Sequence, residues 1–300
     1  MMHRRQFLRA ATALAAYSTL PLPRLARTDQ LRLPRRPIPG TNETLPIIGL
    51  GNSQAFRDGD MARSRALIDY FHDQGGAYID VSGSSRFVTG QIASELSIAG
   101  DLFFGTYIET GNDAQDRSEA REVLAAQNRK QLDLVLTRDL AGYSARQSSY
   151  QGLKTEGLAR YVGVARHQER YHDPMMALME AAAVDFVQVN YSILEPEAAE
   201  RLLPMARDLG IAVLINRPFI NGQYFSVVKG HELPAWAAEI GCDTWAKFSL
   251  KYILSHPAVT CVLTETANPK HAADNIGAGF GPMPDEATRS RMAETIRALV

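Results

Sequence analysis

Eight short runs rich in β-branched and aromatic residues, at 45–52, 78–82, 102–108, 132–138, 161–166, 186–192, 212–218 and 260–266, alternate along this 300-residue chain with stretches of helical spacing. Those stretches are 60–74, 89–99, 114–128, 145–156, 173–183, 196–209 and 243–255; in the first, Met61, Ala66, Leu67, Tyr70 and Phe71 fall on one face. Strands that alternate with helices imply βαβ units and a parallel sheet. Eight such units over about 260 residues is the size of a closed (β/α)8 TIM barrel. A doubly wound open α/β sheet is the other arrangement, but it carries a phosphate fingerprint after its first strand. Gly49-Leu50-Gly51-Asn52 has the first two glycines of that GxGxxG pattern and nothing after them.

A barrel reading locates the chemistry at the C-terminal ends of the strands. Those ends carry Asn52, Asp80, Tyr107, Arg138, Ala165-Arg166, Gln188, Asn190, Asn216-Arg217 and Glu265-Thr266. Hydrophobic residues at 45% and charged residues at 22% are those of a globular chain. The formal charge of −1 hides an asymmetry: residues 1–36 hold eight arginines against the single Asp29, so the remainder is acidic. An acidic body argues against a nucleic-acid partner, because neutralising phosphates needs a basic face.

The basic head reads as an address. Arg4-Arg5-Gln6-Phe7-Leu8-Arg9 precedes an apolar run from Ala10 to Leu22 that is too short and too weakly apolar to form a stable membrane span. His-Arg-Arg-Gln-Phe-Leu-Arg resembles the twin-arginine translocation motif, with His3 in place of its leading Ser or Thr. This resemblance implies a signal peptide over 1–26, the twin-arginine export machinery as a partner, and a periplasmic destination. Residues 27–44, with Pro34, Pro37, Pro39 and Gly40, read as a linker, and 45–300 as the barrel. Cys242 and Cys261 have no metal-ligand spacing; Cys261 reads as a small buried hydrophobe, and a bridge between the two is left open. No metal site is expected.

The strands themselves resemble those of the aldo/keto reductases. Leu45 to Gly51 is similar to that family's opening strand, and Gly75-Gly76-Ala77-Tyr78-Ile79-Asp80 to its second, which ends in a catalytic Asp. Gly157 to Val164 resembles the fifth, Phe186 to Ser192 the sixth, Gly210 to Pro218 the seventh, and Thr266 to Asn275 the cofactor loop and helix after the eighth. The likeness implies a carbonyl substrate reduced, or an alcohol oxidised, with NAD(P). In the family a Tyr protonates the carbonyl oxygen, helped by Lys and Asp, while a His orients the substrate. Asp80 matches the Asp. No Tyr stands in Val81-Ser82-Gly83-Ser84-Ser85-Arg86, Tyr107 replaces the Lys, and Arg138 replaces the His.

These departures imply a rearranged centre of Asp80, Tyr107 and Arg138, in which Tyr107 supplies the proton and Arg138 lowers its pKa. A structural pairing of Asp80 with Arg138 is the competing expectation. For the cofactor, the resemblance implies Gln188 at the nicotinamide carboxamide, Asn216 where an aromatic usually stacks, and Thr266, Asn268 and Asn275 in the last loop. Glu265 stands in place of a cation that meets the 2′-phosphate, and His271 in place of an Arg, which implies a preference for NAD(H). Trp236 and Trp245 are expected in the core. Two functions remain: an exported oxidoreductase, or a silent reductase scaffold that holds a small anionic ligand through Arg86, Arg138, Arg166 and Arg217.

Overall fold

The structure is a computed structural model that describes residues 32–52, 54–181 and 183–300. The signal-peptide reading of 1–26 lies outside these residues. Ten strands follow in chain order: β1 (Arg35–Pro37), β2 (Thr44–Pro46), β3 (Ile48–Leu50), β4 (Tyr78–Val81), β5 (Phe103–Tyr107), β6 (Leu132–Thr137), β7 (Ala159–Ala165), β8 (Phe186–Asn190), β9 (Ala212–Asn216) and β10 (Cys261–Thr264). Strands β3 to β10 pair in parallel in sequence order, and β10 returns to β3, which closes the expected eight-stranded barrel.

Two apolar layers hold it. Inside the barrel lie Tyr78, Phe103, Tyr107, Leu134, Leu136, Tyr161, Phe186, Leu214, Cys261 and Leu263; the alternate residues Ile79, Phe104, Val135, Val162, Val187, Val213 and Val262 face the helices. The period of two therefore assigns every strand residue a side. It also forces one glycine: a Cβ on Gly105 would stand 2.0 Å from the Tyr78 hydroxyl and 2.9 Å from Asp80 Oδ1, so only a residue without one lets β4 and β5 pack here.

The expected helix at 60–74 runs Met61–Asp73, with Asp60 accepting the Arg63 amide as its N-cap. The stretch 145–156 forms the helix Gln147–Thr155; a further helix, Leu140–Ala145, precedes it and ends at Arg146, which leaves helical geometry and bonds Asp113 and Asp116 through its guanidinium. Helices Pro269–Gly277 and Glu286–Arg297 complete the outer layer at the end of the chain.

The segment read as a linker is structured from residue 32 onward. Strands β1 and β2 form an antiparallel hairpin whose Ile38 and Leu45 are buried against the aromatic residues at the amino-terminal end of the barrel. Leu33 is also buried, and its amide donates to Gln74 O at 2.9 Å. The Arg36 guanidinium caps the carbonyls of Leu254, His256 and Val259. Prolines suit such a segment because a two-stranded edge needs few ladder donors.

Candidate active site

Period-two alternation carries a ring of polar side chains to the C-terminal mouth. Counting up each strand by twos from its buried apolar residues leads to Asp80, Tyr107, Arg138, Gln188, Asn216 and Glu265, and all six line one cavity of about 760 Å³. Asn52, Arg57, His167 and Arg217 complete its polar wall, while Phe219 and Phe225 from the loop after β9 supply an apolar one.

Asp80, Gln188 and Tyr107 form a connected chain in the floor. Tyr107 Oη donates to Gln188 Oε1 at 2.8 Å, Gln188 Nε2 donates to Asp80 Oδ1 at 3.2 Å, and Tyr78 Oη donates to the same carboxylate oxygen at 3.3 Å. Burial pushes the Asp80 carboxyl up to about 7, and the hydrogen bonds from Gln188, Tyr78 and Tyr107 only partly oppose it. Burial thus disfavours the charged form of Asp80 near neutrality.

The expected pairing of Asp80 with Arg138 does not form. Arg138 lies over the Tyr107 ring, 4.6 Å from its centroid, and binds both carboxylate oxygens of Glu109. Glu109 stands two residues beyond Tyr107 and so points to the same side of the sheet, which puts it nearer Arg138 than Asp80 is. The expected lowering of the Tyr107 pKa is also reversed. Burial, followed by the nearby Asp80, holds the phenol well above its usual value, and Arg138 offsets only part of this.

The predicted cofactor residues divide between two cavities. A second one, of about 350 Å³, is lined by Thr244, Trp245, Asp274, His271 and Asn275, and shares Phe219, Phe225, Glu265 and Thr266 with the first. Both tryptophans pack on Phe248 against the core, as expected; Trp236 lies under the Arg291 guanidinium, and Trp245 also walls the smaller cavity. Asn268 spends its side chain as the N-cap of the helix Pro269–Gly277, accepting the Lys270 amide at 2.9 Å, and its amide donates to Thr266 Oγ1. Glu265 pairs with Arg57 at 2.9 Å. Arg57, on the short helix Gln54–Arg57 after β3, was missed from sequence; the adjacency of β3 and β10 in a closed barrel is the signal that places it.

Several buried polar atoms here have no partner: Asn52 Oδ1, Asn216 Oδ1, Arg166 Nε and Arg217 Nε. Such atoms are costly unless something binds them. Of the four arginines assigned to an anion, Arg86 is consumed by Gly83 O, Tyr107 O and Glu119, and Arg166 stacks on Tyr171 at 4.2 Å; only Arg138 and Arg217 face the cavity. Burial and the Arg217 and Arg166 charges hold His167 below its ordinary pKa. Both cysteines are buried free thiols, and the described residues hold no cluster of His, Cys, Asp and Glu that could bind a metal ion. Among the described residues no helix is long and apolar enough to cross a membrane.

The aldo/keto reductase family profile matches residues 105–290. A comparison with curated proteins found no match. Among solved structures, an aldo-keto reductase from Bacillus halodurans in its holo form superposes with a TM-score of 0.70 at 16% identity, over 88% of this chain and 96% of that one. An aldo/keto reductase from Klebsiella pneumoniae in complex with NADP and acetate gives a TM-score of 0.65 at 20% identity, over 86% and 94% of the two chains.

Proposed function

The chain belongs to the aldo/keto reductase family, and from that premise we propose that it is a nicotinamide-dependent oxidoreductase acting on a carbonyl/alcohol pair, with Tyr107 as its proton donor. The observation that carries this reading is the Tyr107 hydroxyl in the cavity floor, hydrogen-bonded to Gln188 and flanked by Asp80 and Arg138. No other tyrosine lines the cavity among the described residues.

The residues present fit a dinucleotide. The two cavities adjoin, with Phe219, Phe225, Glu265 and Thr266 lining both. Asn52 Oδ1 and Asn216 Oδ1 offer unfilled acceptors at the larger one. A nicotinamide nucleotide, when bound, supplies the hydride for a carbonyl carbon. Tyr107 holds the proton that the developing alkoxide takes up, and Arg138 over its ring steadies the phenolate left behind. Asp80, whose carboxyl burial pushes up to about 7, interacts with Tyr107 directly and is placed to return the proton to it, while Gln188 only holds the two side chains in position. One observation favours the silent-scaffold reading: Gln188, the carboxamide partner implied by the family, already bonds Tyr107 and Asp80.

Turnover separates the readings. Reduction of simple aromatic aldehydes is expected to be slow, because no lysine tunes the phenol. Tyr107→Phe should remove most of what there is, on the order of 10²-fold or more in kcat, with little change in thermal stability. Undiminished turnover in this variant rules Tyr107 out as the acid. Absence of both turnover and nucleotide binding in the wild type supports the silent scaffold.

A further inference from the structure

We propose that the substrate carries a carboxylate or a similar anionic group beside its reactive carbonyl, and that Arg217 is the residue that selects for it. This rests on the oxidoreductase reading above and names the substrate class for that site.

Three guanidinium groups, those of Arg57, Arg138 and Arg217, line the larger cavity. Two are spoken for: Arg57 by Glu265 and Arg138 by both oxygens of Glu109. Arg217 differs. Its Nη1 donates to the His167 carbonyl at 2.9 Å, its Nη2 stands 4.0 Å from Glu195, and its Nε is buried with no partner. Glu195 accepts from Asn190 Nδ2 at 3.0 Å through its other carboxylate oxygen, which holds it at that distance. Burial pushes the remaining carboxyl in the wall, Asp80, up to about 7 and so disfavours its charged form. Arg217 is thus the guanidinium in the cavity wall with the weakest carboxylate pairing, and its remaining donors are suited to a carboxylate.

The backbone supports the same assignment. Arg217 has φ +50° and lies in the left-handed region, as do Ile220 and Asn221 in the same loop. A long side chain is strained there where glycine is not. The Arg217 guanidinium reaches the His167 carbonyl, two residues after β7, and does not line the smaller cavity.

The test compares 4-carboxybenzaldehyde with its neutral methyl ester, using the wild-type protein, Arg217→Met and Arg217→Lys with saturating nicotinamide nucleotide. In the wild type, kcat/KM should favour the carboxylate by tenfold or more. Arg217→Met should bring that ratio to about one, with the loss in KM rather than kcat, and Arg217→Lys should restore part of it. Equal kcat/KM for the two aldehydes in the wild type, or a ratio unmoved by Arg217→Met, overturns the proposal. So does a variant whose only defect is a tenfold higher KM for the nucleotide, which assigns Arg217 to the cofactor's phosphates. If neither aldehyde turns over, the oxidoreductase reading fails separately, and calorimetry decides the recognition. Binding of 4-carboxybenzaldehyde that weakens tenfold in Arg217→Met supports the anion site, and binding that is absent or unchanged rejects it.

Discussion

At the scale of single residues, Asp80 shows how a barrel mouth changes the meaning of a familiar side chain. The unfolded carboxyl ionises near 4, whereas burial moves the folded one to about 7. Its contribution to stability is therefore whole below pH 4 and is lost as pH rises through 7. The folded state then carries a penalty of at most on the order of 4 kcal/mol at pH 8. Asp80→Asn stays neutral throughout. It is expected to be more stable than the wild type at pH 8 by about 1–3 kcal/mol, with the difference fading by pH 4. Urea denaturation at the two pH values measures this, and parallel profiles refute a protonated Asp80. That Asp80 lies in the site was legible from its strand. Its raised pKa was not, because it comes first from burial in the closed barrel and is left standing when Arg138 pairs with Glu109, just beyond the neighbouring strand.

At the scale of elements, all eight barrel strands lie within three residues of the runs read from sequence. Buried strands are continuous apolar runs, so their signal survives the noise of a single sequence. The hairpin escaped because its apolar anchors, Leu33, Ile38 and Leu45, are scattered among prolines. The exit loop of β10 was read through its own residues, yet its charge is set by the neighbouring loop. With Arg57 at 2.9 Å, Glu265 presents a neutralised pair to whatever lies beside it. The repulsion expected against a 2′-phosphate is accordingly smaller, though the carboxylate still suits a free 2′-hydroxyl. NAD(H) is expected to bind at least as well as NADP(H). Glu265→Lys, which frees Arg57 and adds a second cation, should shift preference toward NADP(H) by about tenfold or more, roughly 1.4 kcal/mol. Calorimetric titration of both nucleotides into both proteins checks it, and a wild type that strongly prefers NADPH removes this role from Glu265.

At the scale of the whole chain, charge divides a basic head from an acidic body. We propose that the head is an export address, on the strength of Arg4-Arg5 ahead of the apolar run at 10–22. Replacing both arginines with lysine should leave the protein uncleaved in the cytoplasm, as followed by fractionation and mass; unchanged periplasmic recovery removes the twin-arginine assignment. The hairpin and the segment before it give this division a boundary. A protease that shaves a chain from its beginning needs several consecutive residues it can draw out as an extended ribbon. Leu33 is sunk in the core with its amide tied to Gln74, and Arg36 is riveted to carbonyls more than 200 positions further along. Trimming therefore stalls ahead of Leu33, so any cut upstream can be ragged without loosening the body it releases.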